Sequence, residues 1–530
     1  VSARLAGVGP LLRVSLRQDA LRTVPWVLLV CLLPVSSVVA YDLLFPGAGD
    51  RAALAASMGS NPALSLLLGP ARDLSTPDGF AGWRSGQLGA LVAGLMTVLV
   101  VVRHTRAQED SGQAELLASG AVARGARLAT ALLVAGLAAG VVGVTCAVAT
   151  VAAGGDAASS WLLAATFTAS GLVFAGVAAV TAQVASDART ATGLAVAVLG
   201  LSYVLRGYLD SSGAPAWTTW VTPLGWLEAT RPGAGDRPAP LLVALAAAAV
   251  LAGAAFALQG RRDFGQGLLA ARTGPAEAGL VGSPWGLAVR LHRGPVLAWV
   301  LAVAGLGLLF GSLTGSVGDL VAENPAMAAL LASGAVSAGG LAFAFVVTIL
   351  QVLALLAAVV GVQVALRAHA EEAAHRLEPL LAAGLRRRTH LATHAVVALG
   401  APTLALLLGS ATLGLVAHRQ EPGVATGDVV RQAAAMLPAV WLLVGLALAA
   451  VGAAPRLRPV GWLGVVGTFV LTVLGPTLDL PGWVLDLSPL RHVPDVSAAS
   501  TAWGGPASLA AVAAVLVVTA FVGLERRDVG

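Results

Sequence analysis

Charged residues make up only 11% of this 530-residue chain, so the places where they gather carry information. The first gathering reads Arg106-Ala-Gln-Glu109-Asp110-Ser-Gly-Gln-Ala-Glu115-Leu116-Leu117-Ala-Ser-Gly120, followed by Arg124 and Arg127. The second reads Glu371-Glu372-Ala-Ala-His375-Arg376-Leu377-Glu378-Pro379-Leu380-Leu381-Ala-Ala-Gly384, followed by Arg386, Arg387 and Arg388. Acids open each segment, leucines form a short apolar patch, glycine closes it and arginines follow, as in a capped surface helix. A solvated loop helix would look the same once. Recurrence at the same place in both halves of the chain marks the segment as functional.

Other chemistry is sparse. His390 and His394 stand four apart on one helical face and could in geometry share a metal ion. No carboxylate accompanies them at ligand spacing, so a structural role at the membrane interface is expected. His369 and His375 are six apart and do not share a face. Neither H-E-x-x-H nor G-x-S-x-G occurs. All 32 basic residues are arginines. Without lysine there is no Schiff-base chemistry and no phosphate-binding loop of the G-x-x-x-x-G-K-[ST] kind. The chain is therefore expected to hold no catalytic, cofactor or metal residue, and to need a separate source of power. Cys31 and Cys146 lie in apolar runs and are expected to pack as small hydrophobes rather than to pair. Gly305 and Gly307 sit inside an apolar run, where small residues allow close helix packing.

The elements that carry these residues are membrane spans. Hydrophobic residues form 57% of the chain and mean hydropathy is +0.84, far from a soluble protein. Runs of about 20 apolar residues, enough to cross the hydrocarbon core, fall near 24–42, 86–102, 128–152, 160–185, 190–209, 238–259, 295–314, 341–366, 391–417, 432–453, 460–478 and 505–524. Twelve spans put both termini on one side. Of the 32 arginines, the side opposite the termini would hold only Arg51, Arg72, Arg84, Arg206, Arg231, Arg237, Arg419, Arg431 and Arg491. The arginine-rich side is cytoplasmic by the positive-inside rule. The basic balance thus reflects topology and not nucleic-acid binding, and no cleavable leader is expected ahead of the first span.

The two sets of six spans are a tandem repeat. Asn61-Pro62-Ala63 returns as Asn324-Pro325-Ala326, Glu109 and Glu115 as Glu372 and Glu378, and Arg127-Leu128-Ala129-Thr130 as His390-Leu391-Ala392-Thr393. Thr222-Pro223-Leu224 returns as Ser488-Pro489-Leu490, and Arg261-Arg262-Asp263 as Arg526-Arg527-Asp528, so the offset stays between 263 and 266. An even span number gives both halves one orientation, with their symmetry axis along the membrane normal. The expected fold is all-α: twelve transmembrane helices as a pseudo-dimer, with halves at 1–260 and 294–530 and a cytoplasmic linker at 261–293. Asn followed by Pro suits a helix start, so a short external or re-entrant helix is expected at each triplet.

The two loops and the Arg-Arg-Asp ends resemble the fused permease subunits of type-2 ABC exporters, in particular the polyketide-antibiotic or tetronasin-type subgroup. The resemblance spans the chain through its duplicated layout, although its specific motifs are confined to those segments. It implies that the segment after the second span of each half is a coupling helix docking on a separate ABC-type ATP-binding subunit, two copies per chain. ATP and Mg would bind in that partner. The coupling residues would be Glu109, Asp110, Glu115, Leu116 and Arg124 in the first half, and Glu371, Glu372, Glu378, Leu380 and Arg387 in the second. It also implies an amphipathic connecting helix before the first span of each half, matched by Leu11 to Arg22 and Leu287 to Arg293.

The function expected is export of hydrophobic or amphipathic drug-like compounds from a bacterial cytoplasmic membrane, one half rocking against the other. Gln351, polar within an apolar span, marks a position for cargo contact or an interhelical hydrogen bond. The main rival is an ion-coupled carrier of the major-facilitator type, which also has two parallel six-span halves. Such carriers need an ionisable group inside a span. The apolar runs lack one centrally, and the nearest candidate, Arg206, lies at an outer end. The Asn-Pro-Ala triplets also occur in water channels, but there they sit in an inverted three-span repeat.

Overall fold

Span ends in this chain are written in small polar residues and proline. Thr76 accepts a hydrogen bond from Gly79 N at 3.0 Å, with Pro77 in the first turn. Asp156 accepts from Ser159 N, Asp187 from Thr190 N, and Ser283 from Gly286 N ahead of Pro284. Each is an N-cap that satisfies a donor the helix cannot. The residues between these caps are apolar and helical, as a segment in lipid must be to pair its own backbone.

The computed structural model describes residues 6–59, 62–118, 122–212, 214–263, 265–269, 282–315, 338–474, 481–496 and 503–527. No strand occurs among them, and the chain is an all-α integral membrane protein. It divides into two units, 1–274 and 275–530. The first contains α1 (Val8–Leu44), α2 (Ala48–Gly59), α3 (Pro62–Leu68), α4 (Pro77–His104), α5 (Arg106–Asp110), α6 (Gln113–Ala118), α7 (Ala126–Ala152), α8 (Ala157–Val184), α9 (Ala188–Ser211), α10 (Pro223–Glu228) and α11 (Ala239–Arg261). The second contains α12 (Pro284–Ser312), α13 (Ala338–Ala373), α14 (Glu378–Ala382), α15 (Arg387–Gln420), α16 (Thr426–Ala453), α17 (Pro459–Phe469), α18 (Gly482–Leu485) and α19 (Gly504–Arg526).

Among the described residues, 11 helices are long and apolar enough to cross a membrane: α1, α4, α7, α8, α9 and α11, then α12, α13, α15, α16 and α19. The run expected at 460–478 is helical over α17 and continues as a π-helical turn, Val470–Leu474. Residues 475–480 lie outside the described residues, so this eleventh expected span is only partly covered.

The connecting helices differ from expectation. Residues 11–22 and 287–293 are not separate elements, because α1 and α12 each run without a break into the following span. The junctions are marked by Pro25 and Pro295 inside those helices. Proline fits the helical φ and costs one backbone hydrogen bond, so it bends a helix more readily than it ends one in a packed membrane bundle.

Small residues set the packing within each unit. Ser170 Oγ donates to Ala90 O at 2.6 Å between α8 and α4, and Phe167 and Phe174 lie over Gly89 and Gly94. Outward faces of α9, α11 and α19 carry exposed Leu201, Leu242, Val250 and Val515, as lipid-facing helices do. Cys31 and Cys146 are free, buried thiols. In the second unit a Cβ on Gly307 would lie 2.2 Å from Gly409 O of α15, whereas one on Gly305 would meet nothing within 4 Å. Of the two glycines, Gly307 is thus the one that sets a helix contact. Gly307→Ala is expected to destabilise the chain by about 1–3 kcal/mol and Gly305→Ala to change little. Unfolding midpoints of the two variants in one detergent check this.

Candidate functional site

The acid-leucine segments begin where the second span of each unit ends. The single surface helix expected in each half is instead broken in two. In the first unit α5 and α6 are separated by Ser111 and Gly112, with Gly112 at φ 76°. In the second, α13 runs on to Ala373 and α14 starts at Glu378, with His375 at φ 55° between them. A left-handed residue turns the chain at each break, so the leading acid and the trailing acid of each segment end up in different surroundings.

Glu109 is buried, its side chain 3% exposed. Arg262, just past the end of α11, grips it with NH2 on Oε1 at 2.8 Å and NH1 on Oε2 at 3.0 Å. Arg106 adds a bond to Oε2 at 2.7 Å and Arg127, on α7, pairs with Oε1. The arginines are themselves anchored: Arg106 Nε donates to Ala182 O and its NH2 to Gln266 O, while Arg262 Nε donates to Gln183 Oε1. Arg124 donates to Arg262 O. The two-pronged carboxylate–guanidinium contact is the strongest form of such a pair.

The second unit repeats the clamp. Arg527, just past α19, donates to Glu372 through NH1 at 2.7 Å and NH2 at 2.6 Å, and its Nε donates to Gly452 O. Arg387 donates to Arg527 O at 3.2 Å, as Arg124 does to Arg262 O. At the offset of 263, His369 stands for Arg106, with Nδ1 3.7 Å from Glu372, and His390 stands for Arg127. The second clamp therefore has one arginine where the first has three, and Glu372 is more open, at 12%.

The remaining expected residues scatter around the clamps. Asp110 accepts from Ala188 N at 2.7 Å and so caps α9 beside Asp187. Burial pushes the Asp187 carboxyl up, but hydrogen bonds from Thr190 N, Thr190 Oγ1 and Ser186 Oγ outweigh it and hold that carboxyl below the usual range. Glu115 is exposed at the start of α6. Glu378 is exposed at the start of α14 and pairs with His375 at 2.7 Å. Glu371 is buried and lies near Arg376 at 3.4 Å and Arg367 at 3.5 Å. Leu380 lines a cleft in the second unit. The Leu116 side chain lies outside the described residues. Gln351 is half-buried on α13 and makes no side-chain hydrogen bond among the described residues.

Sequence reasoning picked out the acids and missed their holders, Arg106, Arg127, Arg262 and Arg527. The signal was present in the Arg-Arg-Asp ends that close both repeats. His394 also finds a partner that spacing did not suggest: its Nδ1 is 3.0 Å from His292 Nε2 on α12, and His390 packs edge-on against it. Among the described residues, no group of three or more His, Cys, Asp or Glu is arranged to hold a metal.

On the opposite side of the first unit, Arg206 is 1% exposed and pairs with Asp210 at 3.0 Å and Glu228 at 3.7 Å. Its NH2 donates to Leu66 O and Leu67 O of α3. That short helix starts at Pro62, as the first Asn-Pro-Ala triplet suggested, although Asn61 itself and Asn324 to Ala326 lie outside the described residues.

This architecture has relatives. Residues 38–258 and 281–525 match the family described as the C-terminal domain of the multidrug efflux system permease Rv1217c. The chain belongs to the Rv1217c permease family. It is also 38% identical to the multidrug efflux system permease protein Rv1217c of Mycobacterium tuberculosis over 539 aligned residues, covering 98% of this chain and 94% of that protein. The match takes in both units of this permease-family chain, with both acid-leucine segments, Arg106 and Arg127, while the clamping arginines Arg262 and Arg527 fall just beyond the matched stretches.

Proposed function

We propose that this chain is the membrane-spanning subunit of an ATP-driven exporter, moving hydrophobic or amphipathic drug-like compounds out of a bacterial cell. The observation that carries the reading is the duplicated clamp. In each unit the segment after the second span is fastened by Glu109 or Glu372 to the end of the last helix, while its trailing acid, Glu115 or Glu378, faces outward. A push delivered at the exposed short helix would pass through a charge-assisted, two-pronged bond to α11 or α19. Membership in a multidrug efflux permease family supports the same direction of work.

The power would come from an ABC-type ATP-binding subunit, two copies for each chain, one at each segment, with ATP and Mg held there. Both termini would face the cytoplasm, which puts the docking segments on the same side as ATP. The ion-coupled carrier reading loses its one basic candidate, because Arg206 is already engaged by Asp210, Glu228 and two backbone carbonyls.

Charge reversal of the exposed acids tests the proposal. Glu115→Arg and Glu378→Arg are each expected to leave the unfolding midpoint within error and to lower cargo-stimulated ATP hydrolysis by roughly fivefold or more, through lost charge complementarity at a docking surface. The two losses should differ, since Glu378 already shares its charge with His375 and is followed by three arginines. ATP hydrolysis unaffected by either variant would remove these segments from the coupling path.

A further inference from the structure

The second unit contains a cleft of about 650 Å³ where α12 begins, α13 ends and α14 and α15 meet. Its walls are Leu287, Ala288 and Leu291 on one side and Leu377, Leu380 and Leu385 on the other. The volume lies in the range of small-molecule sites, which pair a mostly apolar lining with a few polar groups. Three observations say what it would take. His390 lines the cleft, and its Nε2 is buried with no hydrogen-bond partner. Unmet polar atoms in such a wall are costly unless something supplies the bond. The one acid in the lining, Glu371, is already answered by Arg376 and Arg367. Arg376 is also part of the lining, and with Arg367 behind it two arginines face the single acid of this wall.

The first unit differs at the corresponding place. There Ala123 N donates to Ala6 O at 3.0 Å and Val122 packs on Gly7, tying the chain at the offset position of Leu385 and Arg386 to the start of α1. Asp19 of α1 bonds His104 at 2.7 Å and Arg103 at 2.9 Å, filling the region with a paired acid. The position of His390 is held by Arg127, which is spent on Glu109. Among the described residues, these contacts occupy in the first unit the place that the cleft holds in the second.

We infer that this cleft binds an amphipathic molecule with an apolar body and a single anionic head, the head meeting His390 Nε2 and Arg376. The site does not depend on the exporter reading. A free amphipathic acid and an anionic phospholipid share this chemistry, and competition separates them.

The probe is a long-chain fatty acid carrying an alkyl diazirine, photolysed with the purified full chain in detergent and read by peptide mass spectrometry, beside a primary amine with the same tail. Saturable labelling is expected within residues 283–291 and 377–394. Leu287→Trp and Leu380→Trp, which fill the cleft from opposite walls, should each cut it about tenfold. His390→Leu should weaken the acid about fivefold, by loss of one bond to a charged group, and leave the amine unchanged. Competition by unlabelled fatty acid alone assigns the free acid, and competition by phosphatidylglycerol alone assigns the phospholipid. Labelling unchanged in both tryptophan variants, at unaltered unfolding midpoints, or stronger labelling by the amine, would overturn the site.

Discussion

Glu109→Gln is expected to cost the chain about 3–5 kcal/mol, because removing one partner of a buried ion cluster leaves the others uncompensated. Arg106, Arg127 and Arg262 would then face each other around a neutral amide in a pocket where none is more than 10% exposed. Glutamine keeps the shape and one acceptor oxygen, so the loss reports charge and not volume. Glu372→Gln removes the same kind of bond from a single arginine that is 18% exposed and can reach water, so its cost should be well below half as large. Thermal unfolding of both variants in one detergent gives the comparison. Adding Arg262→Gln to Glu109→Gln should restore part of the loss, since it removes one of the stranded charges. Equal losses at Glu109 and Glu372 would mean that the three-arginine arrangement has no energetic consequence.

Arg206→Met carries the second large effect. The methionine fills similar space but leaves Asp210 and Glu228, each 8% exposed, side by side without a cation between them, and takes the donor from Leu66 O and Leu67 O. A loss of about 3–5 kcal/mol follows from the stranded acids. Because Arg206 also ties α3 to α9, limited proteolysis should cut within residues 62–75 of the variant in preference to the parent chain. Arg72, which reaches Glu228 at 3.2 Å from a half-exposed position, can compensate only in part. At offsets of 263 to 266 the second repeat has Phe469, Val470, Leu471 and Thr472. The staple is therefore a property of the first unit. A variant that melts earlier but is cut no faster in that segment would dissociate the charge cluster from the anchoring of α3.

Spans were legible in the sequence because lipid demands long apolar runs and the flanking arginines mark where they stop. The limits of α7 and α8 lie within a few residues of expectation for that reason. Helix continuity was not legible: separate connecting helices were expected at 11–22 and 287–293, yet each segment runs unbroken through Pro25 or Pro295 into its span. The acid-leucine segments were found by repetition, but the partners that hold their acids were not. A charged residue in a loop is ordinarily solvated, and nothing in the spacing of Glu109 says that Arg262, 153 residues away, closes on it. The same holds for Glu372 and Arg527. Repeated ends and repeated acids were both visible, and only the fold joins them. Asp110, expected as a docking acid, also caps α9, a role set by tertiary contact and not by its own segment.

The central claim, that this chain is one part of an ATP-driven machine, is tested most directly by purifying the tagged full-length chain from its native membranes. The expected result is an ABC-type ATP-binding subunit recovered at about two copies per chain, with vanadate-sensitive ATP hydrolysis, and lost together with that activity in the Glu115→Arg, Glu378→Arg double variant through disrupted charge complementarity. A chain that purifies alone and, in vesicles, expels its cargo on an ion gradient without ATP would contradict the account.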